Sequence, residues 1–421
     1  MKRVIAHGTR RVIGERKLMV ALICIYLFLL YLIKREIKIN DQKEKRIFLI
    51  CTLISCSLAI PFRIYLIQQG YEYGLANLDM QCYMSLANQI KNMSIPEGFR
   101  TIANHWNFTL VNDIQMWGYR IYIYFLVLTI YRWTILPVEI SVFLVSILQL
   151  LTAAYSTLRI YNSIKPRFIK YNGFSLFVML IAPSIWYACV RLLRDVFMLL
   201  SIAIMISAFC SKERYWQFKI IVSMALLVIL RPYYALLMCP LLLMLIGKES
   251  WSMIVEIGIF AILAVICAVK RIGPATIIGV VLSPNFFNQS KTVWQDALEV
   301  TIQSGQIPII NFIGSIWNFI MVIYAMISLG ISKKLNLRCW CSLGLMLDIS
   351  MIYAISYGGA TELRHKMFFV IPLVILLNNG DFSFLGSLDN QGRQISRQAF
   401  VVNFSLIMFL VICFLLYGFT F

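Results

Sequence analysis

Between Trp251 and Val269 almost every side chain is lipid-soluble, and Glu256 is the one charged residue. About 20 such residues wound as an α-helix cross about 30 Å of hydrocarbon, where the backbone must satisfy its own hydrogen bonds. Similar runs recur at Lys17–Ile33, Ile47–Ile67, Val138–Leu158, Gly173–Tyr187, Val196–Cys210, Ile220–Leu230, Tyr233–Gly247, Ile309–Ile331, Cys339–Tyr357, Met367–Leu377 and Ala399–Leu416. This spacing predicts an all-α polytopic membrane protein of about 11–13 spans. Composition agrees: 60% of the chain is hydrophobic and 14% charged, against about 25% charged in a soluble domain. With no linker, repeat or low-complexity tract, residues 1–421 read as a single transmembrane domain.

The formal charge of +19 would suggest nucleic acid in a soluble protein, but the basic residues fall in short segments between apolar runs, so no nucleic-acid partner is expected. Lys34–Arg46, Arg159–Lys170, Lys212–Lys219 and Lys333–Arg338 read as cytoplasmic loops beside anionic headgroups. Helix parity then makes residues 68–137 one large extracytoplasmic loop and residues 270–308 a second outer loop. Tyr119–Ile135 becomes a membrane-associated element within the first. The N-terminal basic residues conflict with a crossing at Lys17–Ile33, which makes that helix either re-entrant or interfacial, or an exception to the charge rule.

Soluble-enzyme signatures are absent: no Walker loop, GxGxxG, HExxH, GxSxG or paired CxxC occurs, and three scattered histidines make no familiar metal site. The eleven cysteines lack paired spacing and read as small apolar residues. Parity instead gathers Asp79, Arg191, Arg194, Asp195, Arg231 and Arg364 on one face, each at the edge of an apolar run. The arginine fork binds phosphate oxygens bidentately and stays charged, so Arg191, Arg194, Arg231 and Arg364 suit a phosphate or pyrophosphate. Asp79, in the first turn of an amphipathic helix through Tyr83, Leu86, Ala87 and Ile90, suits a general base that deprotonates an acceptor hydroxyl. Asp195 and Asp113 are the alternative bases. Each feature also has a bland reading: arginines snorkelling to an interface, Asp79 capping its helix. Asp348, inside the run Leu345–Met351, is a separate oddity that fits a cross-helix pair or an ion path.

Asp79-Met80-Gln81-Cys82-Tyr83, the aromatic stretch Trp117-Gly118-Tyr119-Arg120-Ile121-Tyr122, and Ala182-Pro183-Ser184 followed by Arg191-Leu192-Leu193-Arg194-Asp195 together resemble the GT-C superfamily of polytopic glycosyltransferases, over roughly Leu75–Gly247. The chain departs from that family where paired acidic residues or a His-Pro-Pro motif would stand, since Asp79 is followed by Met80. The resemblance implies a membrane enzyme that transfers a sugar from a polyprenyl-phosphate-linked donor to a lipid or glycan acceptor at the extracytoplasmic face, in cell-surface glycan assembly. It implies membrane lipids as surroundings and the bacterial inner membrane as the location. No cofactor is required by it; a divalent ion, magnesium or manganese, is compatible. Arg194-Asp195 heading a helix and Arg364 ahead of Pro372 also resemble O-antigen and exopolysaccharide polymerases, which act on lipid-linked oligosaccharides. A reading from another class is a flippase or secondary transporter, supported by Asp348 and the proline-broken spans. It is opposed by the lack of an inverted repeat.

Overall fold

The computed structural model describes residues 22–68, 71, 73, 78–105, 110–134, 136–170, 172–212, 214–274, 277, 314, 317, 318, 320–326, 336–357 and 363–379. The expected spans Ala399–Leu416 and most of Ile309–Ile331, and most of the second outer loop, lie outside them. The described residues are α-helices with short 3-10 and π segments and no strand. Among the described residues five helices are long and apolar enough to cross a membrane: Gln42–Gln68, Val138–Phe168, Asn172–Val190, Glu249–Val269 and Leu337–Ser356. Asp195–Ser211, Trp216–Leu230, Pro232–Leu245 and Lys366–Asn378 are shorter apolar helices. The expectation of an all-α polytopic chain is met, and the chain divides into two compact units. One comprises residues 1–163 and 185–236, the other residues 164–184 and 237–421.

The first unit begins with α1 (residues 22–37) and α2 (Gln42–Gln68). A capping box opens α2: the Glu44 amide donates to Asp41 Oδ1 at 2.8 Å, and the Asp41 amide to Glu44 Oε2 at 3.4 Å. Both helices pack on α6 (Val138–Phe168). The Tyr26 hydroxyl donates to the Leu144 carbonyl and Arg159 to Glu36 at 2.9 Å, so α1 runs in the same direction as α6. The Tyr161 hydroxyl reaches Glu44 at 2.6 Å and Arg63 reaches Ser146, so α2 runs back. The described part of the first helix thus lies alongside α6.

Between α2 and α6 lie α3 (Leu78–Ile90), α4 (Ile95–His105) and α5 (Leu110–Leu126), the last continued by a π-helical turn at Val127–Arg132. Arg132 fixes the α3–α4 link by donating to the Lys91 and Met93 carbonyls at 2.9 and 3.0 Å. The Tyr124 hydroxyl donates to Ser94 and Ile95 carbonyls at 3.2 and 3.1 Å, over Gly98, where any Cβ would fall 2.0 Å from that hydroxyl. At the start of α4 the Ser94 hydroxyl and amide both donate to Glu97 Oε2, and they hold the Glu97 carboxyl below its ordinary range. This contribution is present at neutral pH and lost as pH falls through the folded-state value.

The unit closes with α8 (Pro183–Val190), α9 (Asp195–Ser211) and α10 (Trp216–Leu230). Pro183 and Pro232 each stand at the first position of a helix, where no amide hydrogen is needed, and Pro183 follows the break at 181–182 that divides the span Asn172–Val190. α9 and α10 form an antiparallel hairpin through Lys212 and Tyr215, both in the left-handed region at φ 45° and 61°. That hairpin brings Asp195 and Arg231 to one end, and α5 packs across it there.

In the second unit, α7 (Asn172–Leu180), α11 (Pro232–Leu245) from Leu237 onward, α12 (Glu249–Val269), α13 (Leu337–Tyr357), a 3-10 segment (Leu363–Phe369) and α14 (Val370–Asn379) form a helical bundle. Arg338 pairs with Glu249, and Lys270 donates to the Ile355 carbonyl at 3.3 Å, so α12 and α13 run in the same direction. Asn378 ties α14 to α7 through Ser175 at 2.7 Å and accepts the Lys170 amide at 3.0 Å.

A Cβ at Gly118 would lie 2.6 Å from the Ile229 carbonyl oxygen, a backbone atom that cannot swing aside. Gly118→Leu should therefore cost about 1–3 kcal/mol of overpacking, outweighing a gain of about 1 kcal/mol in helix propensity. The check is the thermal midpoint in detergent; a midpoint equal to or above the parent's would show that α5 and α10 do not meet there.

Candidate active site

The turn between α8 and α9 is built as a helix C-cap. The Leu193 amide donates to the Ala188 carbonyl at 3.0 Å and the Leu192 amide to the Cys189 carbonyl at 3.1 Å, the paired bonds of a Schellman motif. Its left-handed residue, normally glycine, is Leu192 at φ 52°. A leucine there costs about 1–2 kcal/mol in backbone strain, yet Leu192 and Leu193 are wholly buried in the apolar core with Tyr83, Tyr122 and Ala188. Core packing holds the turn in a shape that local propensity would not choose.

Two buried side chains grip its carbonyls. Arg63, near the C-terminal end of α2, donates to the Val190 carbonyl at 2.7 Å and to the Tyr73 carbonyl at 3.2 Å. The Tyr122 hydroxyl, from α5, donates to the Leu192 carbonyl and accepts from Gln149 of α6 at 3.1 Å.

The turn thereby sets its arginines inside the protein. Arg191 and Arg194 are 1% and 2% exposed, and Asp195 3%. The Arg191 guanidinium lies 4.5 Å from the Tyr187 ring and donates to its hydroxyl. The Arg194 guanidinium stacks 3.8 Å over the Tyr119 ring. Neither of its terminal nitrogens has a hydrogen-bond partner among the described residues, and the same holds for Asp195 Oδ2. Asp195 Oδ1 lies 3.7 Å from Arg231. Arg194 and Asp195 also stand at the start of α9, whose N-terminal dipole adds to the positive potential.

Of the residues expected from sequence, Arg191, Arg194, Asp195 and Arg231 come together in the first unit. Burial excludes the reading of Arg191 and Arg194 as exposed snorkelers. Asp79 occupies the first turn of α3, as expected, one helical turn before Tyr83. The Tyr83 ring lies 5.8 Å from Tyr119, under Arg194, so α3 delivers Asp79 to this end of the unit; its side chain lies outside the described residues. The side chains of Asp113, in α5, and Arg364, in the 3-10 segment of the second unit, lie outside them too. Sequence reasoning missed Arg63, Tyr122 and Gln149. Arg63 carried a usable signal, a lone charge inside the run Ile47–Ile67.

Among the described residues no three metal-ligating side chains gather. The described site offers one carboxylate among arginines, a poor fit to a divalent cation, and no step is routed through one.

The geometry is a group of buried arginines, two of them beside aromatic rings, at the end of a helix hairpin, an arrangement suited to an anion. The model of the Alg9-like mannosyltransferase family matches residues 88–290, which include Arg191, Arg194, Asp195 and Arg231 and leave out Asp79. No protein of curated function and no solved structure matches the chain. This match supports a membrane glycosyltransferase of the GT-C superfamily. Group transfer from a lipid-linked sugar donor, within the membrane, is what such an enzyme does. The flippase or transporter alternative is set aside by the family match.

In this transferase Tyr122→Phe removes one hydroxyl and leaves the buried Leu192 carbonyl without its donor. The loss should be about 1–3 kcal/mol of stability, read as a lowered unfolding midpoint. An unchanged midpoint would show that the turn is held without Tyr122.

Proposed function

We propose that the enzyme takes a sugar from a polyprenyl-phosphate carrier at the extracytoplasmic face of the bacterial inner membrane, for cell-surface glycan assembly. The carrier phosphate bonds to Arg194, with Arg191 and Arg231 adding charge. The single observation that carries this reading is the buried Arg194 guanidinium, whose ring face is occupied by Tyr119 while both terminal nitrogens are free of hydrogen bonds among the described residues. A planar fork stacked on an aromatic ring keeps its edge for a bidentate oxyanion.

In the reaction, the acceptor hydroxyl attacks the sugar carbon that bears the phosphate. Its proton passes to the Asp79 carboxylate, the carbon–oxygen bond to phosphate breaks, and the phosphate leaves with the electron pair onto the arginines. Arg231 holds Asp195 at 3.7 Å, which suits Asp195 to orienting arginines and leaves Asp79 as the base. The family's printed name makes a mannosyl donor the first to test.

Arg194→Lys keeps the charge and loses the fork. In proteoliposomes supplied with polyprenyl-phosphate mannose, transfer should fall by roughly 30- to 150-fold, matching about 2–3 kcal/mol for a charge-assisted bidentate contact. Donor use equal to the parent's, at equal protein level, would remove Arg194 from the phosphate.

Asp79→Asn preserves shape and capping but not basicity, because asparagine caps a helix about as well as aspartate. Turnover should drop by about 10²–10⁴ while folding and donor binding persist. Near-parental transfer would make Asp79 a cap and direct the search to Asp195 or Asp113.

A further inference from the structure

The second unit holds an acidic pair for which the transfer reaction has no use. Glu256, on α12, is 4% exposed, and Asp348, on α13, is fully buried; both lie inside helices apolar enough to cross a membrane. Glu256 Oε2 occupies a notch in α13 at Gly344, only 2.6 Å from where a Cβ would stand. Asp348 follows Gly344 by four residues, so its Cβ sits about 5–6 Å from that same point, on the same row of the helix. The two carboxyl groups thus face one small space between the helices.

That space is a cavity of about 450 Å³, lined by both acids and by Phe260, Trp340, Leu347 and Leu373. Neither oxygen of Asp348 has a hydrogen-bond partner among the described residues. Glu256 has Ser252 Oγ at 3.4 Å, a hydroxyl also within 2.8 Å of the Pro240 carbonyl. The basic groups on the packed elements are engaged or set apart. Arg338 pairs with Glu249 about ten residues from Asp348 along α13, Lys270 binds the Ile355 carbonyl, and Lys366 lies over the Phe369 ring at 5.1 Å. Two adjacent negative charges in hydrocarbon, without a bonded cation, are prohibitively costly.

We propose that Glu256 and Asp348 form an intramembrane site for one monovalent cation, a proton or a sodium ion, bound between α12 and α13. The bound charge neutralises one carboxylate and ties the two helices through the other. The site is independent of the donor reading, since it lies wholly in the second unit and uses none of the residues assigned to phosphate.

A lipid-soluble carbodiimide tests it, because that reagent forms a stable adduct only with a protonated carboxyl in apolar surroundings. Full-length protein in sodium-free detergent is treated across acid to alkaline pH, and adducts are located by peptide mass spectrometry. The expected result is an adduct on Glu256 or Asp348 whose formation slows at least about tenfold as pH rises. Protection by sodium chloride, but not choline chloride, identifies sodium as the occupant; labelling indifferent to sodium identifies the proton. Asp348→Asn and Glu256→Gln, each checked for a monodisperse gel-filtration peak, assign the reacting group and should each change its labelling rate at the other. Folded protein that acquires no adduct at either residue, or acquires it at a rate blind to pH and sodium, overturns the proposal. So does a variant that leaves labelling of the remaining acid unchanged.

Discussion

Everything at the candidate active site depends on how one left-handed residue is held. Leu192 turns the chain from α8 into α9 at φ 52°, and the turn is fixed by the Ala188 and Cys189 carbonyls, by Tyr122 and, at Val190, by Arg63. A glycine would adopt this conformation without strain, but it would bring no apolar side chain to the core. The leucine couples the turn to packing of α3, α5 and α6, so the orientation of Arg191 and Arg194 becomes a property of the whole unit. Precise placement of a charge by surrounding rigid helices is what electrostatic catalysis requires.

The aromatic surroundings explain how guanidinium groups are tolerated there. Tyr187 and Tyr119 each offer a ring face, which compensates part of the lost hydration while leaving the hydrogen-bonding edge available. A lysine has no flat face to stack and no fork, so the sequence's use of arginine at each of these positions follows from the geometry. The same tyrosines link the turn to α3 through Tyr83, which lies 5.8 Å from Tyr119 and 5.7 Å from Tyr122. The helix that begins with Asp79 is therefore registered to the arginines by a chain of ring contacts.

Much of this was legible in the sequence. Apolar run length fixed the class of fold because hydrocarbon permits few alternatives, and parity grouped Arg191, Arg194, Asp195 and Arg231 correctly because each stands at a helix end. The ion pair between Asp195 and Arg231 joins residues far apart in the chain, and no local pattern encodes it. Arg63 and Tyr122 were missed for a related reason: their partners are backbone carbonyls, whose positions depend on the turn and not on any neighbouring residue type. The direction of the first helix also escaped sequence reasoning, since charge bias and span length gave opposite answers there. The Tyr26 and Glu36 contacts set its direction relative to α6. Division into two units left no trace in composition, because both are equally apolar.

The central claim is that the turn from Arg191 to Asp195 receives the phosphate of a lipid-linked donor. It is tested most directly by an experimental structure of the enzyme in nanodiscs with a non-transferable polyprenyl-phosphate-sugar analogue. The account predicts phosphate oxygens within hydrogen-bonding distance of both terminal nitrogens of Arg194, about 2.7–2.9 Å, with Arg231 still beside Asp195. A well-defined analogue whose phosphate lies elsewhere, with Arg194 bonded to protein alone, would contradict it.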